Sequence, residues 1–72
     1  VLINGGNKLV TVNGKTQEYI STDLQTFLSA QGYRIDTVAV EINGEIIAKA
    51  TYGTVVIQDK DVIEIINFVG GG

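Results

Sequence analysis

An α+β fold, with one helix lying across a mixed β-sheet, is what this 72-residue chain predicts. Three observations lead there. Asn13-Gly14 and Asn43-Gly44 each interrupt a run rich in β-branched residues, and Asn-Gly suits the type I′ hairpin turn, whose two central residues both need φ > 0. One helical periodicity, Leu24, Phe27 and Leu28, stands between the two hairpins. A final apolar run, Asp61 to Val69, leads straight into Gly70, Gly71 and Gly72.

In chain order, Val1 to Asn7 carries little signal. Leu2-Ile3-Asn4-Gly5 faintly echoes Val10-Thr11-Val12-Asn13-Gly14, and residues 1–7 are expected as a loose leader, or else an extra edge strand. Lys8 to Ile20 forms the first hairpin, with Val10 and Val12 facing the core and Leu9 and Thr11 outside, since side chains alternate along a strand. Thr22 to Gln31 is the one helix. Thr22 and Gln25 have capping-box spacing, Asp23 complements the positive helix end, and Gly32 is a natural stop. Its stripe of Leu24, Phe27 and Leu28 is core. Thr37 to Ala48 is the second hairpin, with Val38, Val40 and Ile42 alternating against Ala39 and Glu41. Ala50 to Gln58 is irregular, with Tyr52 and Ile57 tucked under as core pins, and Asp59-Lys60-Asp61 turns the chain into its last strand.

The order β-β-α-β-β-β, with four to five strands and the last pairing with the first near the sheet centre, is the β-grasp, or ubiquitin-like, arrangement. The α+β class follows from the pattern, whereas the strand order rests on analogy. Residues 8–69 then make one domain and 70–72 a flexible tail.

Composition narrows the function. A chain this short buries only roughly 60% of its unfolded surface, so a compact apolar core must carry its stability. It has no Cys and no His, which removes disulfides, thiolate sites and the usual zinc and copper ligands, and no metal site is expected. Absence of Cys fits a reducing cytoplasm. No apolar run approaches a membrane span. Net charge is −3, and Lys8, Lys15, Arg34, Lys49 and Lys60 are scattered, which argues against nucleic acid and is compatible with docking on a basic protein surface.

Enzyme chemistry lacks its parts. Ser21 and Ser29 have no His to act as base, and no phosphate-binding glycine loop precedes the helix. Asp59 and Asp61 are close enough for a cation site or an acid–base pair, but turn chemistry explains them more simply.

What remains is the chain's end. A carboxylate is rarely buried alone, so Glu64 faces water, and alternation then places Ile63 and Ile65 in the core and Ile66 and Phe68 outside with Glu64. Two large apolar residues on a wet face point to a partner. Three glycines resist ordering and make a thin thread. They are either an ordinary loose terminus or the carrier of a working group, the carboxylate of Gly72. A carboxylate is a poor electrophile until its oxygen becomes a leaving group. Transfer of AMP from ATP achieves that, in a narrow, water-excluding site that a side-chain-free tail can enter.

Val10-Thr11-Val12-Asn13-Gly14, then Val38 to Ile46, then Asp59 to Gly72 resemble, in order and spacing, the sulfur carrier family of thiamine biosynthesis. The resemblance covers about residues 8–72. It implies a carrier rather than an enzyme, whose Gly72 is adenylated by an E1-like enzyme using ATP and Mg, with no cofactor bound to the carrier itself. The adenylate is converted to a thiocarboxylate with sulfur from a donor protein, and sulfur passes to thiazole synthase. Gly71 and Gly72 take the family's terminal Gly-Gly, with Gly70 extending the thread, and Glu64, Ile66 and Phe68 fall where the family meets its partners. Lys60 stands where many relatives have Gly, and residues 1–7 precede the usual start.

Two alternatives stay in view. The small subunit of molybdopterin synthase shares this fold and ending but usually carries Pro near the last strand's exit, and this chain has no Pro. A β-grasp adaptor with an inert tail would bind through its sheet without any chemistry at Gly72. A ubiquitin-like protein modifier is a further possibility.

Overall fold

The computed structural model describes residues 8–68. The expected leader, residues 1–7, and the expected tail, Gly70 to Gly72, lie outside them. Five strands form one mixed sheet: β1 (Leu9–Val12), β2 (Lys15–Glu18), β3 (Val38–Ile42), β4 (Glu45–Ile46) and β5 (Val62–Asn67), in the spatial order β2-β1-β5-β3-β4. β5 is central, parallel to β1 and antiparallel to β3. The helix α1 (Leu24–Ala30) packs on one face. This is the expected β-grasp.

Local chemistry explains most of it. Both Asn-Gly turns adopt positive φ at both positions, 50° and 85° at Asn13 and Gly14, 53° and 86° at Asn43 and Gly44. Asn tolerates the left-handed region better than most residues, and Gly enters it freely. The returning strands are shorter than expected: β2 ends at Glu18 rather than Ile20, and β4 at Ile46 rather than Ala48. The core is the alternating set Val10, Val12, Val38, Val40, Ile42, Ile63 and Ile65 against Leu24, Phe27 and Leu28, with Tyr52 and Ile57 closing the end as pins. Burial raises the Tyr52 phenol above its ordinary value.

The helix end follows sequence expectation. The Gly32 N–H bonds to the Ser29 carbonyl (3.0 Å) and the Tyr33 N–H to the Leu28 carbonyl (2.9 Å), with Gly32 at φ 91°. That is a Schellman closure, with Gly at the left-handed position.

The helix start does not. The capping box of Thr22 and Gln25 is absent, and the helix begins two residues later than expected. Asp23 is the N-cap: its Oδ2 accepts from the Thr26 N–H (2.9 Å) and its Oδ1 from the Thr26 hydroxyl (2.7 Å). Those bonds hold its carboxyl below the usual carboxylate range. The cause is competition from elsewhere in the fold. The Gln25 N–H, which a Thr22 cap would need, donates to the Tyr52 carbonyl (2.9 Å), the Leu24 N–H to the Val55 carbonyl (2.7 Å), and the Thr22 carbonyl accepts from the Ile57 N–H (3.0 Å). The segment expected to be irregular satisfies the first turn of the helix with its own backbone.

Candidate functional site

The sequence directs attention to β5 and its exit, and the structure shows how that strand is held. Asp61 anchors its start. This residue is 8% exposed; its carboxylate accepts from the Gln58 N–H (2.8 Å) and from Asn43 Nδ2 (2.9 Å), while its carbonyl accepts from the Thr11 N–H (2.9 Å). Asp59 Oδ1 accepts from the Leu9 N–H (2.9 Å). Both aspartates are thus committed to ordering the turn, as turn chemistry predicts. They also act on Tyr19, whose hydroxyl donates to the Ile57 carbonyl (3.1 Å). Its phenol is raised first by burial and then by the Asp59 and Asp61 carboxylates. Among the described residues no group of three or more His, Cys, Asp or Glu side chains is placed to hold a metal ion.

Between these aspartates, Lys60 has φ 73°, a region that favours glycine. Its N–H bonds to the Leu9 carbonyl (2.6 Å), which fixes the turn against β1. The position where the resemblance expects Gly therefore keeps the glycine-like backbone.

The two hairpin asparagines supply a device that sequence reasoning missed. Asn43 Oδ1 accepts from the Val62 N–H (2.9 Å), and the Asn43 N–H donates to the Val62 carbonyl (2.8 Å). Asn13 pairs with Ile65 wholly through its side chain: its Oδ1 accepts from the Ile65 N–H (2.7 Å) and its Nδ2 donates to the Ile65 carbonyl (3.2 Å). β1 pairs with β5 only through Thr11–Val62 and Val12–Ile63, so the Asn13 side chain extends the ladder one step after β1 has turned away. An Asn-Gly pair signals a turn, and nothing local reveals that the amide also reaches a strand 52 residues away.

Beyond Ile65 the strand is held on its other side. The Phe68 N–H donates to the Thr37 carbonyl (2.7 Å), and the Thr37 hydroxyl donates to Asn67 Oδ1 (3.2 Å). Hydrogen bonding to β3 and its approach thus continues through Phe68, the last described residue.

The side chains fall as alternation predicts. Ile63 and Ile65 are buried; Glu64, Ile66 and Phe68 are exposed on the face away from the helix, Ile66 by 60% and Phe68 by 59%. Tertiary structure adds members that the sequence analysis left out. Glu41 lies directly across from Glu64, Ala39 from Ile66, and Ile46 from Glu41. Of the seven large apolar side chains that are exposed among the described residues, five (Leu9, Ile46, Val62, Ile66 and Phe68) stand on this outer face. Exposed apolar side chains thus gather on one face of the sheet, around Glu41 and Glu64. Gly70, Gly71 and Gly72 lie outside the described residues.

The model of the ThiS family matches residues 10–72. The chain belongs to the ThiS family. It is 39% identical over 66 residues to the sulfur carrier protein ThiS of Bacillus subtilis, covering 89% of this chain and all of that one. Its fold superposes on the crystal structure of the thiamine biosynthesis protein ThiS from Geobacter metallireducens with a TM-score of 0.75 at 32% identity, covering 89% of this chain and 99% of the other. It is also 43% identical over 51 residues to a thiazole synthase of Magnetococcus marinus; that match takes in 71% of this chain but spans only 16% of the longer relative. No helix among the described residues is long and apolar enough to cross a membrane.

Proposed function

We propose that this domain is a sulfur carrier for thiazole assembly in thiamine biosynthesis, and that its reactive atom is in the carboxylate of Gly72. The observation that carries this reading is the junction of two features. A strand hydrogen-bonded on both sides leads to exposed Ile66 and Phe68, and the family match continues from it to residue 72.

The chemistry balances simply. A Gly72 carboxylate oxygen attacks the α-phosphate of Mg-bound ATP in an E1-like partner, forming an acyl-adenylate and releasing pyrophosphate. A sulfide equivalent from a sulfur donor protein adds to the activated carbonyl and expels AMP, leaving a thiocarboxylate. That sulfur is then a nucleophile for thiazole synthase. The carrier's own residues contribute recognition and reach: the sheet face docks, and Gly70 and Gly71 let the end enter a site that a Cβ would obstruct. The carrier is a co-substrate in this scheme, and the catalytic groups belong to its partners.

The likeness to part of a much longer thiazole synthase supports a second arrangement of the same chemistry, in which the carrier domain and thiazole synthase are parts of one polypeptide. Intact-mass analysis of the endogenous protein from sulfur-replete cells tests both. A species in which one oxygen of the Gly72 carboxylate is replaced by sulfur is expected. A longer polypeptide would favour the second arrangement, and a full-length species with no sulfur at Gly72 would defeat the reading. In a purified system, Gly72→Ala is expected to abolish ATP–pyrophosphate exchange with the cognate adenylating enzyme and to leave thermal unfolding unchanged.

A further inference from the structure

The outer face of the sheet has an internal charge conflict. Glu41 and Glu64 are direct cross-strand partners in the β3–β5 register, an arrangement that destabilises a sheet when the charges are alike. Among the described residues no cation relieves it. An ion pair joins Arg34 to Asp36, both exposed, and involves neither glutamate. Around the two carboxylates stand Ala39, Ile46 and Ile66, and together these groups line a shallow cavity of about 120 Å³. Its lining is almost wholly apolar, which suits the aliphatic stem of a lysine or arginine whose charged head meets the carboxylates.

We propose that this face docks a protein surface that presents an arginine or lysine within an apolar frame, the cation seating between Glu41 and Glu64 while Ile46, Ile66 and Phe68 make the apolar contact. The inference rests on the carrier reading above and gives the chemistry of the partner surface at that same face. Charge complementarity selects this occupant. A symmetric contact with a second copy would bring four carboxylates together, and the chain's net charge of −3 compounds the repulsion. A nucleic acid would meet the carboxylates with phosphates. A cationic partner group converts the repulsion of the free protein into two attractions in the complex, and a paired interfacial charge contributes to both specificity and encounter rate.

The test is ATP–pyrophosphate exchange by the purified adenylating enzyme of the same organism, with the wild-type carrier, Glu41→Gln, Glu64→Gln and the double variant, at low and high salt. The double variant is expected to raise KM for the carrier about tenfold, with most of the change in KM rather than kcat, and to lose most of the salt dependence that the wild type shows. Its thermal midpoint is expected to rise, because the repulsion is gone, so loss of binding cannot come from unfolding. A KM equal to that of the wild type would overturn the proposal and leave the carrier reading intact. Absence of exchange with the wild type itself would remove the carrier reading instead. A dimer seen by sedimentation equilibrium, tightened by the double substitution, would overturn the proposal in favour of self-association through this face.

Discussion

Ile63 and Ile66 are the same amino acid in one strand, three positions apart, yet Ile63 is fully buried and Ile66 is 60% exposed. The two faces of β5 are therefore assigned by what covers them. The inner face meets Leu24, Phe27 and Leu28 of the helix with Tyr52 and Ile57 beside them. The outer face meets no other element of the described chain. The same hydrophobic side chain stabilises the fold on one side and is left available for association on the other.

The largest expected effect lies on the covered face. Ile63→Ala should lose about 2–5 kcal/mol of stability, the usual loss for deleting a buried isoleucine, measured by denaturant unfolding. A loss below about 0.5 kcal/mol would mean that the two faces of β5 are not distinct. Next comes the clamp that holds both faces in register. Asn43→Ala removes the acceptor for the Val62 N–H and a donor to the largely buried Asp61. A loss of about 1–3 kcal/mol is expected from the bonds left unmade. Amide exchange at Val62 should accelerate in that variant, and unaltered protection there would show that the side chain is dispensable. Lys60→Gly relieves a φ of 73° and should gain up to about 1 kcal/mol; a clear loss would show that the Lys60 side chain makes a compensating contribution. The smallest effect on stability is expected for Ile66→Ala and Phe68→Ala, within about 0.5 kcal/mol as for exposed sites generally. Those two substitutions should still weaken association with the adenylating enzyme. Were they to destabilise the domain as strongly as Ile63→Ala, the outer face would be part of the core.

The candidate site was only partly legible from local pattern. Glu64 marked the wet side of the last strand, and strict alternation then placed Ile66 and Phe68 correctly, because a strand has only two faces. Glu41 was also placed on a wet face, but nothing along the chain says that β3 lies beside β5 in the register that sets Glu41 against Glu64. Ile46 joins the surface for the same reason: a two-residue strand, β4, carries it to the far side of β3.

The helix shows the limit in another way. Its stop was readable because the Gly32 closure uses only neighbouring residues. Its start was misread because the decisive acceptors, the carbonyls of Tyr52 and Val55, come from a distant segment. Thr22 and Gln25 had the spacing for a capping box, but the Gln25 N–H was no longer available to it.

By itself, the sequence determined the elements whose information is local: two Asn-Gly turns, the alternating core of β1, β3 and β5, the apolar helix stripe and the Gly32 stop. It determined equally that these 72 residues offer no His or Cys side chain. Tertiary structure alone decided which strands became neighbours, and with that the outer-face pairing, the reach of Asn13 and Asn43 to β5 and the choice of Asp23 as the cap. The physical reason is that backbone groups bond to whichever partner the whole packing brings within about 3 Å, and that partner can lie far off in sequence, as with Tyr52 for Gln25 and Asn13 for Ile65.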